Sequence, residues 1–262
     1  MKPIRSLTFD AKKKVLKGKF KPSTAAEREF YKQLKKVARS SGHIVDTHVD
    51  GATLKDPKKM QAELERYSKL IEPWARKQSL RLLEKVSRSN EWAYKQKSNA
   101  IGVALEQNVF ASKTGAVALS LMEEQVALIK SIPIEAGRRA QKIAIEAVLE
   151  GTRAQVNSDT VEELKKQLNL STEVAESRAM LIARTETARA SASINQSRAM
   201  SIGSTQYVWR TSEDAAVRDS HKKMHGEKIN WDDPPRLSDG TKGHAGTFPN
   251  CRCYAEPVFS EE

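Results

Sequence analysis

Two histidines and two cysteines near the end of the chain have a spacing that suits metal binding. His221 and His225 are four residues apart, which places both imidazoles on one face of a helix. Cys251 and Cys253 are two residues apart and share one face of a strand. Together these side chains offer a Cys2His2 set for tetrahedral Zn²⁺. The alternative is structural, with a hydrogen-bonded His221 and two thiols packed as small apolar groups.

Catalytic chemistry is less well supported by the same region. A zinc-protease helix needs a glutamate beside its first histidine, and Lys222 occupies that position. Ser220 lies next to His221 but lacks the glycine-flanked turn that exposes a nucleophilic serine. No complete catalytic set is present, so we predict that the chain is not an enzyme. A metal-dependent hydrolase that uses His221, Asp214 and the cysteine pair ranks third among the hypotheses.

A long helix upstream has a polar stripe on a surface that is otherwise rich in alanine. Arg184, Asn195 and Arg198 fall on one side of this helix, whereas Glu186 faces away from Asn195. Such a stripe could dock a second element through hydrogen bonds, or it could be exposed to solvent.

Positive charge is concentrated at the N-terminus. The net charge is +12, and residues 1–40 hold 13 of the 45 Lys and Arg residues but only three of the 33 acidic residues. This basic arm suits a polyanion such as double-stranded DNA, or an acidic protein surface. The alternative is a solvated tail without a partner. The lysines predicted to contact DNA are Lys12, Lys13, Lys14, Lys17, Lys19 and Lys21.

The elements that must position these residues are mainly helices. A short helix is predicted from Ser23 to Val37, and the alternating residues 43–49 indicate a brief strand or linker within 41–56. Asp56 and Pro57 form a typical helix start. A helical body is predicted over 57–203, with one helix closed by Pro133, another ending at Gly151, and a long helix over 172–202.

The composition changes abruptly at Gly203. No aromatic residue lies between Ala111 and Gln206, whereas six of the 15 aromatic residues follow Gln206. We therefore predict a small mixed α/β module over 204–262, docked on the long helix, with Asp214 capping a helix that runs to Met224. The predicted class is α+β, mostly α, with an elongated helical body and an extended basic arm over 1–40.

Several classes of protein are excluded by composition. The longest largely apolar stretch, Ala116 to Met122, is broken by Ser120 and is far shorter than the roughly 18 apolar residues of a membrane span. The basic N-terminus lacks the apolar core and cleavage site of a secretory signal. Two cysteines cannot form a disulfide framework, and a bridge between residues two apart would be strained.

The same residues resemble the conserved module of phage head morphogenesis proteins, the Mu F-like minor head proteins. The resemblance begins with Ile182-Ala183-Arg184-Thr185-Glu186 and ends with Pro249-Asn250-Cys251-Arg252-Cys253. The motif residues are Arg184, Glu186, Asn195, Arg198, Trp209, Asp214, His221, Gly226, Cys251, Arg252 and Cys253.

Two departures from the family's pattern affect the metal prediction. Many relatives have Cys-x-x-Cys where this chain has Arg218 and His221, and many have a histidine near Phe248-Pro249. A four-thiol site therefore does not carry over. His221, Cys251 and Cys253 remain the predicted ligands of a structural zinc, with His225 or His244 as a fourth.

The resemblance implies a structural role in the virion, at the head interior or portal vertex, after assembly in the host cytoplasm. The implied partners are the portal protein and other head proteins, with packaged DNA contacted through the basic arm. Some relatives carry toxin or ADP-ribosyltransferase extensions, but only nine residues follow Cys253, so we expect no such domain. The alternative is a nucleic-acid-binding protein whose C-terminal module is stabilised by metal.

Overall fold

The computed structural model describes residues 14–15, 20–50, 53–101, 113–151 and 158–259. Most of these residues are helical, and a small antiparallel sheet lies near the C-terminus, so the predicted class, α+β and mostly α, is confirmed. The helices are α1 (Thr24–Thr47), α2 (Pro57–Leu70), α3 (Glu72–Ile101), α4 (Lys113–Gly151), α5 (Ser158–Ser201) and α6 (Asp219–Lys222). The strands are β1 (Lys14–Val15), β2 (Val49–Asp50), β3 (Thr53–Leu54), β4 (Gln206–Arg210), β5 (Lys228–Asn230) and β6 (Tyr254–Phe259).

The described residues fall into two compact units. The first unit takes its residues from 1–24, 83–121 and 185–262, and the second takes its residues from 25–82 and 122–184. The division passes through α3, α4 and α5, so each of these helices contributes to both units.

The first unit is built around a four-stranded antiparallel sheet in the order β1-β6-β4-β5. Tyr207 of β4 lies opposite Pro257 on one side and Ile229 on the other. Three consecutive residues of β4 are buried, which means that both faces of this strand are covered. The surrounding core is unusually aromatic, with Phe20, Tyr94 and Trp209 among its members.

The second unit is helical, with a short β2-β3 hairpin. Helix α2 begins as predicted, because the Asp56 carboxylate accepts a hydrogen bond from the Lys59 amide and Pro57 occupies the first turn. Gly137 of α4 lets the helices approach closely, since a Cβ there would lie 2.7 Å from the Leu64 side chain. Their contact buries Met60, Leu64 and Ala140.

The boundaries predicted near the N-terminus are wrong. Helix α1 runs without a break through residue 40, so neither a separate arm over 1–40 nor a linker over 41–56 describes this region. The residues taken for a strand, 43–47, belong to the helix, and only Val49–Asp50 is extended. Burial explains the difference, because Ser41, Gly42 and Val45 continue the core-facing stripe of α1.

The predicted ends of the later helices also need correction. Pro133 lies inside α4 instead of closing it, and its buried position shows that packing outweighs the lost backbone hydrogen bond. Helix α5 starts at Ser158, not near residue 172, because no Gly or Pro interrupts it. A single helical body over 57–203 is likewise wrong, since the end of α5 belongs to the first unit. Among the described residues, no helix has the length and apolarity to cross a membrane.

Candidate metal centre

Three of the predicted metal ligands converge in the first unit. His221 Nδ1 lies 3.5 Å from Cys251 Sγ and 3.4 Å from Cys253 Sγ. The three ligand atoms all lie within 4.8 Å of one another, and the exposed fractions of His221, Cys251 and Cys253 are 2%, 4% and 2%. Both cysteines are free. Two thiols and one imidazole in this arrangement can hold one thiophilic metal ion.

The local fold explains how these side chains meet. Helix α6 is a single turn, and its His221 ring packs against Phe248 at 4.9 Å and edge-on to Trp209 at 5.7 Å between centroids. Asn250 adopts a left-handed φ of 56° immediately before Cys251, a conformation that asparagine tolerates better than most residues. The chain turns there, which brings both cysteines under the imidazole just before β6 begins.

The two sulfurs have different electrostatic environments. The Cys253 thiol donates to the Cys251 sulfur, which lowers the pKa of Cys251, and contact with His221 lowers it further against the opposing effect of burial. The backbone amide of Cys253 also donates to this sulfur, at 3.4 Å. The same contact with Cys251, together with burial, raises the pKa of Cys253. Cys251 is therefore favoured as the thiolate, which is the form that binds metals.

A small cleft of about 60 Å³ opens beside the three ligands. It has room for a few water-sized molecules. The Arg218 guanidinium at its edge donates to the Pro249 carbonyl over 2.7 Å. The lining residues are Ser212, Ala216, Val217, Arg218, His221, Asn250, Cys251, Arg252 and Cys253.

The structure does not bring a second histidine to this group. His225 Nδ1 accepts from the Thr211 hydroxyl over 2.8 Å, and His244 Nδ1 lies 3.1 Å from the Tyr207 hydroxyl. Among the described residues the metal-binding group comprises His221, Cys251 and Cys253 alone, so the expectation that His225 or His244 is a fourth ligand is wrong.

Other motif residues stabilise the loops around the cysteines. Asp214 accepts from Arg252 over 2.8 Å and from the Ala216 amide over 3.0 Å. It therefore stabilises a turn, and the prediction that it caps a helix running to Met224 is wrong, since α6 spans only Asp219–Lys222. Gly226 has a φ of 91°, which lets its amide donate to the Trp209 carbonyl over 2.8 Å.

The polar stripe on α5 is divided between the two units. Asn195 and Arg198 are buried in the first unit. Arg184 belongs to the second unit, where its Nε lies 3.4 Å from Glu27, so it does not join the other two. Glu186 is buried and accepts from Arg189 over 3.1 Å.

Three residues of α3 complete the buried network and were missed from the sequence. Arg198 donates to the Ser87 carbonyl, the Ser87 hydroxyl and the Asn90 amide oxygen, all within 2.9 Å. Asn195 Oδ1 accepts from Tyr94 over 2.8 Å and from Asn90 over 3.2 Å. The spacing of Ser87, Asn90 and Tyr94 was an available signal, because residues three and seven apart share one helix face.

Two of the six lysines predicted to bind DNA, Lys14 and Lys21, lie among the described residues. Lys14 lies in β1, and the Lys21 ammonium lies 5.7 Å from the centre of the Tyr254 ring. Lys12, Lys13, Lys17 and Lys19 lie outside the described residues.

Comparison with known proteins identifies the region that contains the site. Residues 137–256 match the family described as phage Mu protein F like protein. An uncharacterized protein of Haemophilus influenzae (strain Rd) is 32% identical over 140 residues, which is 53% of this chain but only 29% of that relative's length. No solved structure matches the chain significantly. The family match includes Asn195, Arg198 and all three candidate metal ligands, so residues 137–256 of this chain are similar to phage Mu protein F like proteins.

Proposed function

We propose that this chain is a minor head protein of a tailed phage, which associates with the portal and the capsid interior during head assembly. The observation that supports this function is the family match over residues 137–256, because the phage Mu F-like family points to phage head morphogenesis. Other phage head proteins are accordingly the partners in this proposal.

The use of polar side chains within the first unit supports a structural role over an enzymatic one. Asn195, Arg198 and Tyr94 are buried and bonded to one another or to the backbone. Glu256 of β6 is buried and accepts from Arg210 over 2.6 Å. Groups that are engaged in this way fix a shape, which is what a head protein needs in order to present a defined surface to its neighbours.

The basic segment over residues 12–21, which keeps the name arm below, is the proposed contact with packaged DNA. Lysines that neutralise phosphates release counterions, so binding through the arm weakens steeply as salt rises. The same charges would also attract an acidic face of a head protein. The salt dependence of the affinity for duplex DNA distinguishes DNA from such a protein surface as the partner.

Particle association tests the head-protein proposal. Heads that contain portal are purified on a density gradient from cells producing the phage, and the chain is quantified by mass spectrometry with cross-linking to the portal. We expect the full chain to sediment with these heads and to cross-link to portal or capsid subunits. A chain that remains entirely in the soluble fraction, while portal and capsid proteins sediment normally, would refute the proposal.

Substitution is better than truncation for testing the arm. Removing residues 1–40 would delete Phe30 and Leu34, which are buried on α1. The test variant instead replaces six arm lysines with glutamine in the full chain. A matched control replaces six exposed lysines elsewhere with glutamine, namely Lys58, Lys59, Lys69, Lys77, Lys223 and Lys228.

Affinity for a duplex is then measured across a salt series by fluorescence anisotropy. If every arm lysine contacts a phosphate, the slope of log affinity against log salt falls by about 5 in the arm variant, at about 0.9 per contact. The control variant keeps most of the wild-type slope. Equal slopes for the two variants would exclude a specific role for the arm.

A further inference from the structure

We propose that His221, Cys251 and Cys253 bind a zinc ion with three protein ligands, leaving a fourth coordination position that opens into the adjacent cleft. The match to the phage Mu F-like family does not assign this site, and the proposal does not depend on the chain's role in a particle.

The distances between the ligand atoms fit a tetrahedral metal site. Zinc–sulfur bonds of about 2.3 Å and zinc–nitrogen bonds of about 2.0 Å, at a tetrahedral angle, separate sulfur and nitrogen by about 3.5 Å. The observed separations are 3.5 and 3.4 Å. The side chains are therefore already placed along two edges of the coordination tetrahedron.

Hydrogen bonding alone accounts poorly for this convergence. Both sulfurs approach the same nitrogen, His221 Nδ1, and one imidazole nitrogen either donates one proton or accepts at one lone pair. A single ion at the centre would satisfy both sulfurs and the nitrogen together. No described residue forms a hydrogen bond with Nε2, and the ring is held by packing on Trp209 and Phe248.

The ligand types select the metal. Thiolate and imidazole suit zinc, whereas Mg²⁺ and Ca²⁺ require oxygen ligands. Two thiolates balance the charge of a divalent ion, so the three buried ligands and the metal form a neutral unit. This balance matters because an uncompensated buried charge is costly.

The fourth position distinguishes this site from a closed structural site. Among the described residues no fourth Cys, His, Asp or Glu joins the group, and the cleft of about 60 Å³ has room for a water molecule as the remaining ligand. Apart from the three ligands, the described lining offers neither a carboxylate nor an imidazole that could serve as a general base. We therefore assign the site to stabilisation of the module, where the metal would link α6 to the segment preceding β6.

Metal binding is measured on the full chain. Purified protein is stripped with a chelator, reconstituted with zinc and titrated against a chromophoric competitor. We expect one equivalent of zinc and a metal-dependent rise in melting temperature. Cys251→Ser should weaken zinc binding by more than about 100-fold, since even outer partners of a metal site contribute 10–100-fold. His225→Gln and His244→Gln, which remove imidazoles of the same module, should bind zinc as the wild type does.

Two further measurements use the wild type alone, so they test the proposal even if a variant fails to fold. Cobalt should give thiolate-to-metal charge transfer and the absorption of a tetrahedral ion. Zinc should protect both thiols from alkylation, and these are the only two cysteines in the chain. Absence of the charge-transfer band, or alkylation at the same rate with and without zinc, would overturn the proposal.

The open position has its own test. Azide added to the cobalt form should change the visible spectrum by replacing the water ligand. An unchanged spectrum at saturating azide would mean that a protein group fills the fourth position, and would overturn that part of the proposal while the zinc stoichiometry stands.

Discussion

The amide oxygen of Asn195 lies 2.8 Å from the hydroxyl of Tyr94, a residue 101 positions earlier in the chain. The same side chain donates to the Ala255 carbonyl of β6 over 2.9 Å. Asn195 therefore joins α5 to both α3 and the sheet within the first unit.

Asn195→Ala should destabilise the protein by about 3 kcal/mol, because it leaves the Tyr94 hydroxyl and the Ala255 carbonyl buried without this partner. Urea denaturation measures the loss. Asn230→Ala removes an exposed amide and should change the free energy of unfolding by less than about 0.5 kcal/mol. Similar losses in the two variants would contradict the role assigned to Asn195.

Arg198→Lys tests the geometry of the buried guanidinium. Lysine keeps the charge but cannot reproduce the forked contacts with Ser87 and Asn90, so we expect a loss of about 3 kcal/mol. Arg184→Lys is the control, since the Arg184 side chain is 33% exposed and its ion pair with Glu27 is long. This control should lose less than about 1 kcal/mol. The idea fails if the two substitutions prove equally mild in thermal and urea unfolding.

Gly246→Ala tests a close approach beside the cysteines. Gly246 has a φ of 86°, and a Cβ there would lie 3.0 Å from the Cys253 carbonyl oxygen and 3.2 Å from Ala192. Gly240 has a similar φ of 83° but open space around it. Gly240→Ala should therefore cost about 1 kcal/mol of backbone strain, and Gly246→Ala about 2 kcal/mol more. Comparable unfolding midpoints for the two variants would show that the neighbours yield freely.

The ionised carboxylate of Asp239 stabilises the folded module, so part of the module's stability depends on pH. Its carboxylate accepts from Thr241 and Ser220, and these hydrogen bonds lower the pKa of Asp239 to about 2. A depressed carboxyl pKa stabilises the fold above the unfolded value of about 4, and this contribution is lost as the pH falls through about 2. The advantage of the wild type over Asp239→Asn should therefore be constant above pH 4 and shrink towards pH 2.

Urea midpoints across that pH range provide the measurement. Asp232→Asn, which removes an exposed carboxylate from the same loop, controls for the change in charge. An advantage that grows as the pH falls would reverse the sign derived above and refute the assignment.

Local signals in the sequence predicted many elements well. The Asp56-Pro57 start of α2 was found where expected, and the aromatic-rich segment after Gly203 forms β4, β5 and β6. The same rules failed at Pro133 and at residues 43–47, where burial against distant residues overrides local preference. Helix ends are set by such contacts as much as by the residues themselves.

The candidate site was predictable in its chemistry and less so in its membership. Spacing and residue type indicated His221, Cys251 and Cys253, but could not tell that His225 and His244 would bond to Thr211 and Tyr207 instead of joining them. The partners of Arg198 on α3 share one helix face, which the sequence shows, but nothing local pairs that face with a residue 111 positions away.

The discontinuity of the first unit has a practical consequence for dissecting the protein. A fragment cut to the family match would start inside α4 and lack Ser87, Asn90 and Tyr94, which hold Asn195 and Arg198. Expressed alone, such a fragment would leave Asn195 and Arg198 without their hydrogen-bond partners on α3. Deletion mapping would then report misfolding when it was meant to report the loss of a binding partner. Point substitutions in the intact polypeptide are the sound route to its biology.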